Sequence, residues 1–197
     1  MTLGVVATGC VDPVGDFEDY KVMAQARPKP TLLLCPSAPP DPIELSGSFV
    51  GYCKVNFAPA EQALLLSTQF QLQDGKLSAT LTPLLTTAQA LSDTAGDPPV
   101  NAESALTSNK FAMNFGLVRI SGAANAISGS EIELDGALFK GVVVSQDKIL
   151  AELDGKLIKP FAYDLNVPQD ICIFLRSPDG VTMPARPDPK DFDCLLQ

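Results

Sequence analysis

The chain has 197 residues and not one of them is histidine. That absence removes the commonest general base, the commonest metal ligand and every Ser/His or Cys/His nucleophile pair together. Tryptophan is missing too and tyrosine occurs only three times, so the flat aromatic platforms used in carbohydrate and peptide-motif recognition are scarce. Positive charge is also short: 14 Lys and Arg stand against 23 Asp and Glu, a net charge of -9. Such a chain repels phosphate backbones and offers anionic membrane surfaces nothing to hold, which excludes nucleic acid as a partner. No segment reaches the ~18 uncharged apolar residues of a membrane-spanning helix. Gly-rich phosphate loops, a Gly-x-Ser-x-Gly elbow, an Asp-x-Asp-x-Asp-Gly calcium loop and a dinucleotide fingerprint are all lacking. No cofactor and no catalytic role are therefore expected.

What remains is globular: 46% of the residues are hydrophobic and 19% charged, enough to build one core with tails. Proline marks the limits of that core. Six of the 17 prolines lie between Pro28 and Pro42 and four between Pro178 and Pro189, while Val100 to Lys159 has none. A central sheet must exclude a residue that donates no backbone hydrogen bond, whereas extended tethers tolerate it. The expected organisation is a remnant of a leader over 1–10, a Pro-rich stalk over 11–43, a sheet domain over 44–176 and a C-terminal wrap over 177–197.

Within the sheet domain the hydrophobic period is two, the signature of half-buried strands. Phe49, Gly51, Cys53, Val55 and Phe57 alternate with polar positions, as do Leu64, Leu66, Phe70 and Leu72. Asp74-Gly75 then supplies the two positive-φ residues of a type I′ hairpin, and Leu77, Ala79 and Leu81 form the return arm. Phe111, Met113, Phe115 and Leu117 form another strand, whose phase breaks at Leu117-Val118 as a bulge would break it. Glu133 to Gly141 is echoed by Glu152 to Pro160, with six of nine positions matching 19 residues apart. Two copies are too few for a solenoid, so the echo reads as two long strands, each with a glycine at a sharp bend. Ile171 to Arg176 is the last strand, and Thr31 to Leu34 offers an edge strand.

The sum is an all-β fold of seven or eight antiparallel strands, a barrel or else a β-sandwich. Its alternating strands and glycine bends are similar to small barrels of the lipocalin or calycin type, a resemblance of architecture that carries no function. Thr86 to Asn109 reads as one long loop, either a disordered insertion or a lid over a ligand cavity, with a turn or two of helix from Thr87 to Ser92.

At the N-terminus an apolar, uncharged run ends in Ala7-Thr8-Gly9-Cys10, which resembles a bacterial lipobox. Ala7 stands where leucine is usual and no basic segment precedes the run. The resemblance implies that Cys10 carries diacylglycerol and that the protein is exported and lipid-anchored in a bacterial cell envelope, periplasmic or at the outer-membrane surface. Its contact with membrane would then be through the anchor alone. Export makes Cys35, Cys53, Cys172 and Cys194 an even set in an oxidising compartment, hence two disulfides. No pair shows the Cys-x-x-Cys spacing of a zinc site. Of three pairings, sheet closure favours Cys53 with Cys172 on neighbouring first and last strands, leaving Cys35 with Cys194 on the tails.

Few residues suggest chemistry. Asp188, Asp191 and Asp193 form one acidic group and Asp16, Glu18 and Asp19 another; calcium accepts such oxygens, but near a tail they read as solvated, and no metal is expected. Glu131, Glu133 and Asp135 share one strand face, where they could pair as glycoside-cleaving carboxylates or simply face water; the second is the simpler reading. Phe49, Phe57, Phe70, Phe111, Met113 and Phe115 fall at inward positions, where they either fill the barrel or line an apolar cavity as ligand-binding residues. The expected function is a membrane-tethered, non-enzymatic exported lipoprotein that binds a small apolar ligand. The alternative is a structural or adhesion module that contacts another cell-envelope protein.

Overall fold

A computed structural model describes residues 33–39, 41, 43–165 and 170–195. The strands are β1 (Leu33–Leu34), β2 (Gly47–Lys54), β3 (Leu64–Gln73), β4 (Lys76–Pro83), β5 (Val100–Ala105), β6 (Lys110–Ile120), β7 (Ile132–Ser145), β8 (Lys148–Lys159), β9 (Tyr163–Leu165), β10 (Ile171–Arg176) and β11 (Cys194–Leu195). The described residues contain no α-helix, only short 3-10 turns. Eight strands pair antiparallel in the order β5-β4-β3-β2-β10-β8-β7-β6 and curl into a nearly closed barrel. Consecutive strands are neighbours from β2 to β5 and from β6 to β8, β9 is set off as a short partner of β8, and β10 pairs with both β8 and β2. The barrel expected from the period-two alternation is thus the observed fold, and the sandwich is not.

Local sequence explains the pairing. Asp74 (φ 51°) and Gly75 (φ 75°) make the tight turn between β3 and β4, and Leu72 then faces Leu77 across the ladder. On β6, Gly116 at φ 66° sits between two register shifts, which advance the phase so that Val118 and Ile120 point inward after Phe115. Gly51 serves a different need: a Cβ there would stand 2.7 Å from the Phe174 ring, which crosses it from β10.

The seam between β5 and β6 is the incomplete part of the wall. Thr107 and Lys110 exchange backbone hydrogen bonds at the connecting turn, and the Ala112 amide donates to Ser104 Oγ at 3.2 Å. No ladder joins the two strands among the described residues. The sequence reading of Thr86 to Asn109 as a single loop is corrected here, because β5 lies within it and pairs with β4 from Leu81↔Val100 to Lys76↔Ala105. Nor is Thr87 to Ser92 helical; that stretch consists of turns, with an isolated bridge from Ala90 to Thr182.

The two ends of the barrel differ. One end has tight turns and is closed beneath by residues 43–46. The Asn109 side chain fixes that segment, accepting from the Ile43 amide at 3.2 Å and donating to the Pro39 and Asp41 carbonyls at 3.0 and 2.7 Å. Phe49, Phe70, Phe111 and Phe174 fill this end, the Phe70 ring lying 5.3 Å from Phe49 and 5.6 Å from Phe174, both edge to face. The opposite end carries the long connections 55–63, 84–99 and 121–131, together with residues 160–165 after β8.

A second apolar layer lies outside the barrel. Val50, Tyr52, Leu65, Leu150, Ile171 and Ile173 point outward, yet they are buried under Leu84 and Leu91 of one connection and Phe192 of the C-terminal segment. Tyr52 Oη donates to the Pro184 carbonyl at 3.0 Å, and the Arg186 guanidinium stacks on its ring. Burial on both faces is why Ile171-Cys172-Ile173-Phe174 reads as an unbroken apolar run. Leu33–Leu34 does form a strand, but it pairs in parallel with Cys194–Leu195 in a separate sheet; residues 31 and 32 lie outside the described residues. The disulfides are Cys35 with Cys194, beside that small sheet, and Cys53 with Cys172, directly across the β2/β10 ladder, the pairing that closure predicts.

Candidate functional site

The open end of the barrel holds an apolar cavity of about 60 Å³ that opens to solvent. Its walls are the outer turns of the strands: Val55, Leu64 and Leu66 on one side, Leu81 and Val100 on the next, Val118 and Ile120 on β6, and Leu134, Ala137, Leu153 and Leu157 on the long β7/β8 pair. Apart from Arg119, whose side chain turns outward to Glu133, the wall is hydrocarbon together with Cys53 of the β2/β10 disulfide. Pro98 and Val100 on one flank, and Val118 to Ile120 on the other, place the cavity against the incompletely paired β5/β6 seam. The cavity exists because aliphatic side chains and Ala137 occupy this level, whereas phenylalanine rings occupy the level below. Phe139, edge to face with Phe115 at 5.3 Å, marks the boundary.

Of the six residues named from sequence as ligand-binding, Phe57 lines the cavity. Its ring stands at the rim, 5.9 Å from Phe161 and 5.0 Å from Tyr163. Phe49, Phe70, Phe111, Met113 and Phe115 are buried in the same inner core, but they fill it rather than border the space. Inward direction alone could not separate these levels. The missed lining residues are mostly aliphatic, and their signal lay in the β7/β8 alternation, whose phase is obscured by Gly136 (φ 64°) and the register shift from Asp135 to Leu138.

Hydrogen bonds hold the mouth in place. The Asp97 carboxylate, next to Pro98, accepts from the Ser121 amide and from Ser121 Oγ at 3.0 Å. Asn125 ties the following turn, accepting from the Ile127 amide at 2.9 Å and donating to the Ser130 carbonyl at 2.8 Å. Ile127, so fixed, is part of the lining. On the barrel's outer surface beside the mouth, Glu133 accepts from Arg119 Nη2 at 2.9 Å and from Lys159 Nζ at 3.1 Å, and Lys159 also reaches Glu131 at 3.0 Å. The Lys159 ammonium first, and then the Arg119 guanidinium, hold the Glu133 carboxyl below the ordinary carboxylate range. Burial, and secondarily the charge of Asp170, push the Tyr163 hydroxyl up.

The other candidates are placed as follows. Glu131 and Glu133 belong to that ion-pair cluster and Asp135 is exposed. Asp188 caps a 3-10 turn by accepting from the Lys190 amide at 2.9 Å, while Asp191 and Asp193 pair with Lys148 and Lys54. No group of three or more metal-ligating side chains occurs among the described residues. Cys10 and the Asp16, Glu18 and Asp19 group lie outside the described residues. Compared with protein families, with curated proteins and with solved structures, the chain matches none of them.

Proposed function

We propose that this protein is a non-enzymatic binding barrel that takes a small apolar ligand through the β5/β6 seam into the open end. The observation that carries the reading is the hydrocarbon-lined space beside a seam that no ladder closes, at the end fitted with long connections. A barrel with this interior transfers a ligand from water to an apolar wall, so affinity would come from burial rather than from charge. The closed end contributes a rigid floor. The Arg119, Glu133 and Lys159 cluster leaves the mouth polar outside and apolar within.

The same proposal places the protein outside the cytosol, tethered through Cys10. The lipobox-like residues Ala7 to Cys10 support the tether, and two cross-linked cysteine pairs suit an oxidising compartment. No helix among the described residues is long and apolar enough to cross a membrane.

Titration with a neutral apolar dye such as phenylnaphthylamine tests the binding. Wild-type protein is expected to enhance the dye's fluorescence saturably, and Ala137→Leu, which fills the space from the wall, to abolish that enhancement while keeping the strand content. Equal enhancement by both proteins would overturn the reading. Radiolabelled palmitate incorporated by wild-type protein but not by Cys10→Ser checks the tether separately.

A further inference from the structure

The seam between β5 and β6 is fastened by side chains rather than by a ladder. The Ala112 amide donates to Ser104 Oγ at 3.2 Å, and the Gly116 amide to Asn114 Oδ1 of its own strand at 2.8 Å. Pro98 and Pro99, which lead into β5, have no amide and cannot donate to a ladder there. At their level the fastening falls to one carboxylate. Asp97 accepts from the Ser121 amide with both oxygens, Oδ1 at 3.1 Å and Oδ2 at 3.0 Å, and Oδ2 accepts again from Ser121 Oγ at 3.0 Å. Asp97 precedes Pro98 and Ser121 follows Ile120, and both of those neighbours line the cavity. The contact therefore joins the two unladdered strands beside the cavity, while the Thr107/Lys110 turn joins them at the other end. The Thr86 amide, donating to the Ala123 carbonyl at 3.1 Å, is a neighbouring tie between the same two connections.

We infer that Asp97 and Ser121 form the latch of a lateral gate: the contact opens to let an apolar ligand pass between β5 and β6, and re-forms behind it. The inference rests on the binding reading above and adds the device that controls the passage. A backbone ladder parts only when a row of bonds breaks together. Here the bonds beside the cavity converge on one side chain, and water takes over both partners once they separate. The passage itself is apolar on both sides, since Val100 and Ala102 of β5 and Phe115 and Val118 of β6 belong to the inner core. A latch alters the barrier and leaves the cavity wall intact. It therefore sets how fast a ligand enters and leaves rather than how tightly it is held.

The experiment uses the full chain with its disulfides intact and follows association and dissociation of the neutral dye by stopped-flow fluorescence. Asp97→Ala removes all three bonds to Ser121. It is expected to speed both rates at least ~10-fold, the worth of one hydrogen bond to a charged group, with Kd unchanged. Asp97→Cys combined with Ser121→Cys, oxidised to a disulfide and checked by mass, replaces the latch by a covalent bond. This double variant is expected to slow both rates by the same factor or more, again with Kd unchanged, and it keeps the test decisive should Asp97→Ala fail to fold. Rates of wild-type size in the cross-linked variant, with dye still bound at equilibrium, would overturn the gate and leave the apolar cavity standing. So would faster dissociation from Asp97→Ala with unchanged association, the mark of a merely structural tie. Failure of the dye to bind wild-type protein would overturn the binding reading and this inference with it.

Discussion

The two ends of the barrel solve the same problem with different materials. At the closed end, tight turns bring the strands together and phenylalanine rings meet edge to face, in the same core as the fully buried Leu45 and Leu77. At the open end the side chains are aliphatic, the connections are long, and a cavity remains. The only covalent link across the inner wall among the described residues, Cys53 with Cys172, belongs to this looser end, and Cys53 borders the cavity. The comparison teaches that packing density holds one end and a cross-link the other. A wall that encloses a cavity is not stabilised by filling it.

The sharpest way to break that comparison is to remove the bridge. Cys53→Ala with Cys172→Ala releases a loop of sequence separation 119, and the chain-entropy model puts the loss at about 5 kcal/mol. Urea unfolding of the double variant is expected to show that loss as a lower midpoint. A loss below about 1 kcal/mol, at the low limit for removing such a cross-link, would mean that the open wall holds itself together by packing.

Packing itself is compared by truncation at each end. Phe70→Ala empties a site enclosed by three other rings and is expected to cost about 3–5 kcal/mol. Leu134→Ala enlarges a space that already exists, so Leu134 has fewer contacts to lose; the cost should lie near 2 kcal/mol, the bottom of the range for such truncations. Chemical denaturation of both variants decides it, and equal losses would remove the distinction between a packed floor and a hollow mouth. A smaller effect of opposite sign comes from Thr68→Val, because the Thr68 hydroxyl on β3 is buried and has no hydrogen-bond partner among the described residues. Removing it is expected to raise stability by about 1 kcal/mol, read as a higher thermal midpoint, whereas a lowered midpoint would show that Thr68 supports the fold.

Much of this architecture was legible in the chain. Period-two alternation located β2, β3, β4 and β6, and Asp74-Gly75 marked the hairpin between β3 and β4 because both residues must take positive φ. The β2/β10 pairing, and with it the disulfide pattern, followed from closing the sheet. β5 escaped because Val100-Asn101-Ala102-Glu103-Ser104-Ala105 is poor in β-branched and aromatic residues; its strand state comes from β4 alongside it rather than from its own preference. The cavity was only half legible. Alternation tells which side chains point inward but not at what height they stand, so the rings that fill the closed end and Phe57 at the rim looked alike. Height depends on register, and register at β7/β8 is set by the glycine bends.

The smallest expected effects concern two carboxylates on the outer surface, and they oppose each other. Glu133, beside the mouth, is held below the ordinary range by Lys159 and then Arg119. A depressed carboxyl adds stability above its unfolded value and loses it as pH falls through the folded one, so this contribution is present at neutral pH and fades below about pH 5. Glu152, on β8 nearer the middle of the wall, is pushed upward by burial first and the Asp154 charge second. A raised carboxyl works the other way: its favourable share exists at low pH and is lost as pH rises through the folded value. Urea midpoints at neutral and acid pH should therefore separate them. Glu133→Gln is expected to lower the neutral midpoint and flatten the acid decline, and Glu152→Gln to raise the neutral midpoint with little change in acid. If both variants moved the neutral midpoint in the same direction, the ion pairs flanking the mouth would have no distinct part in holding the open end.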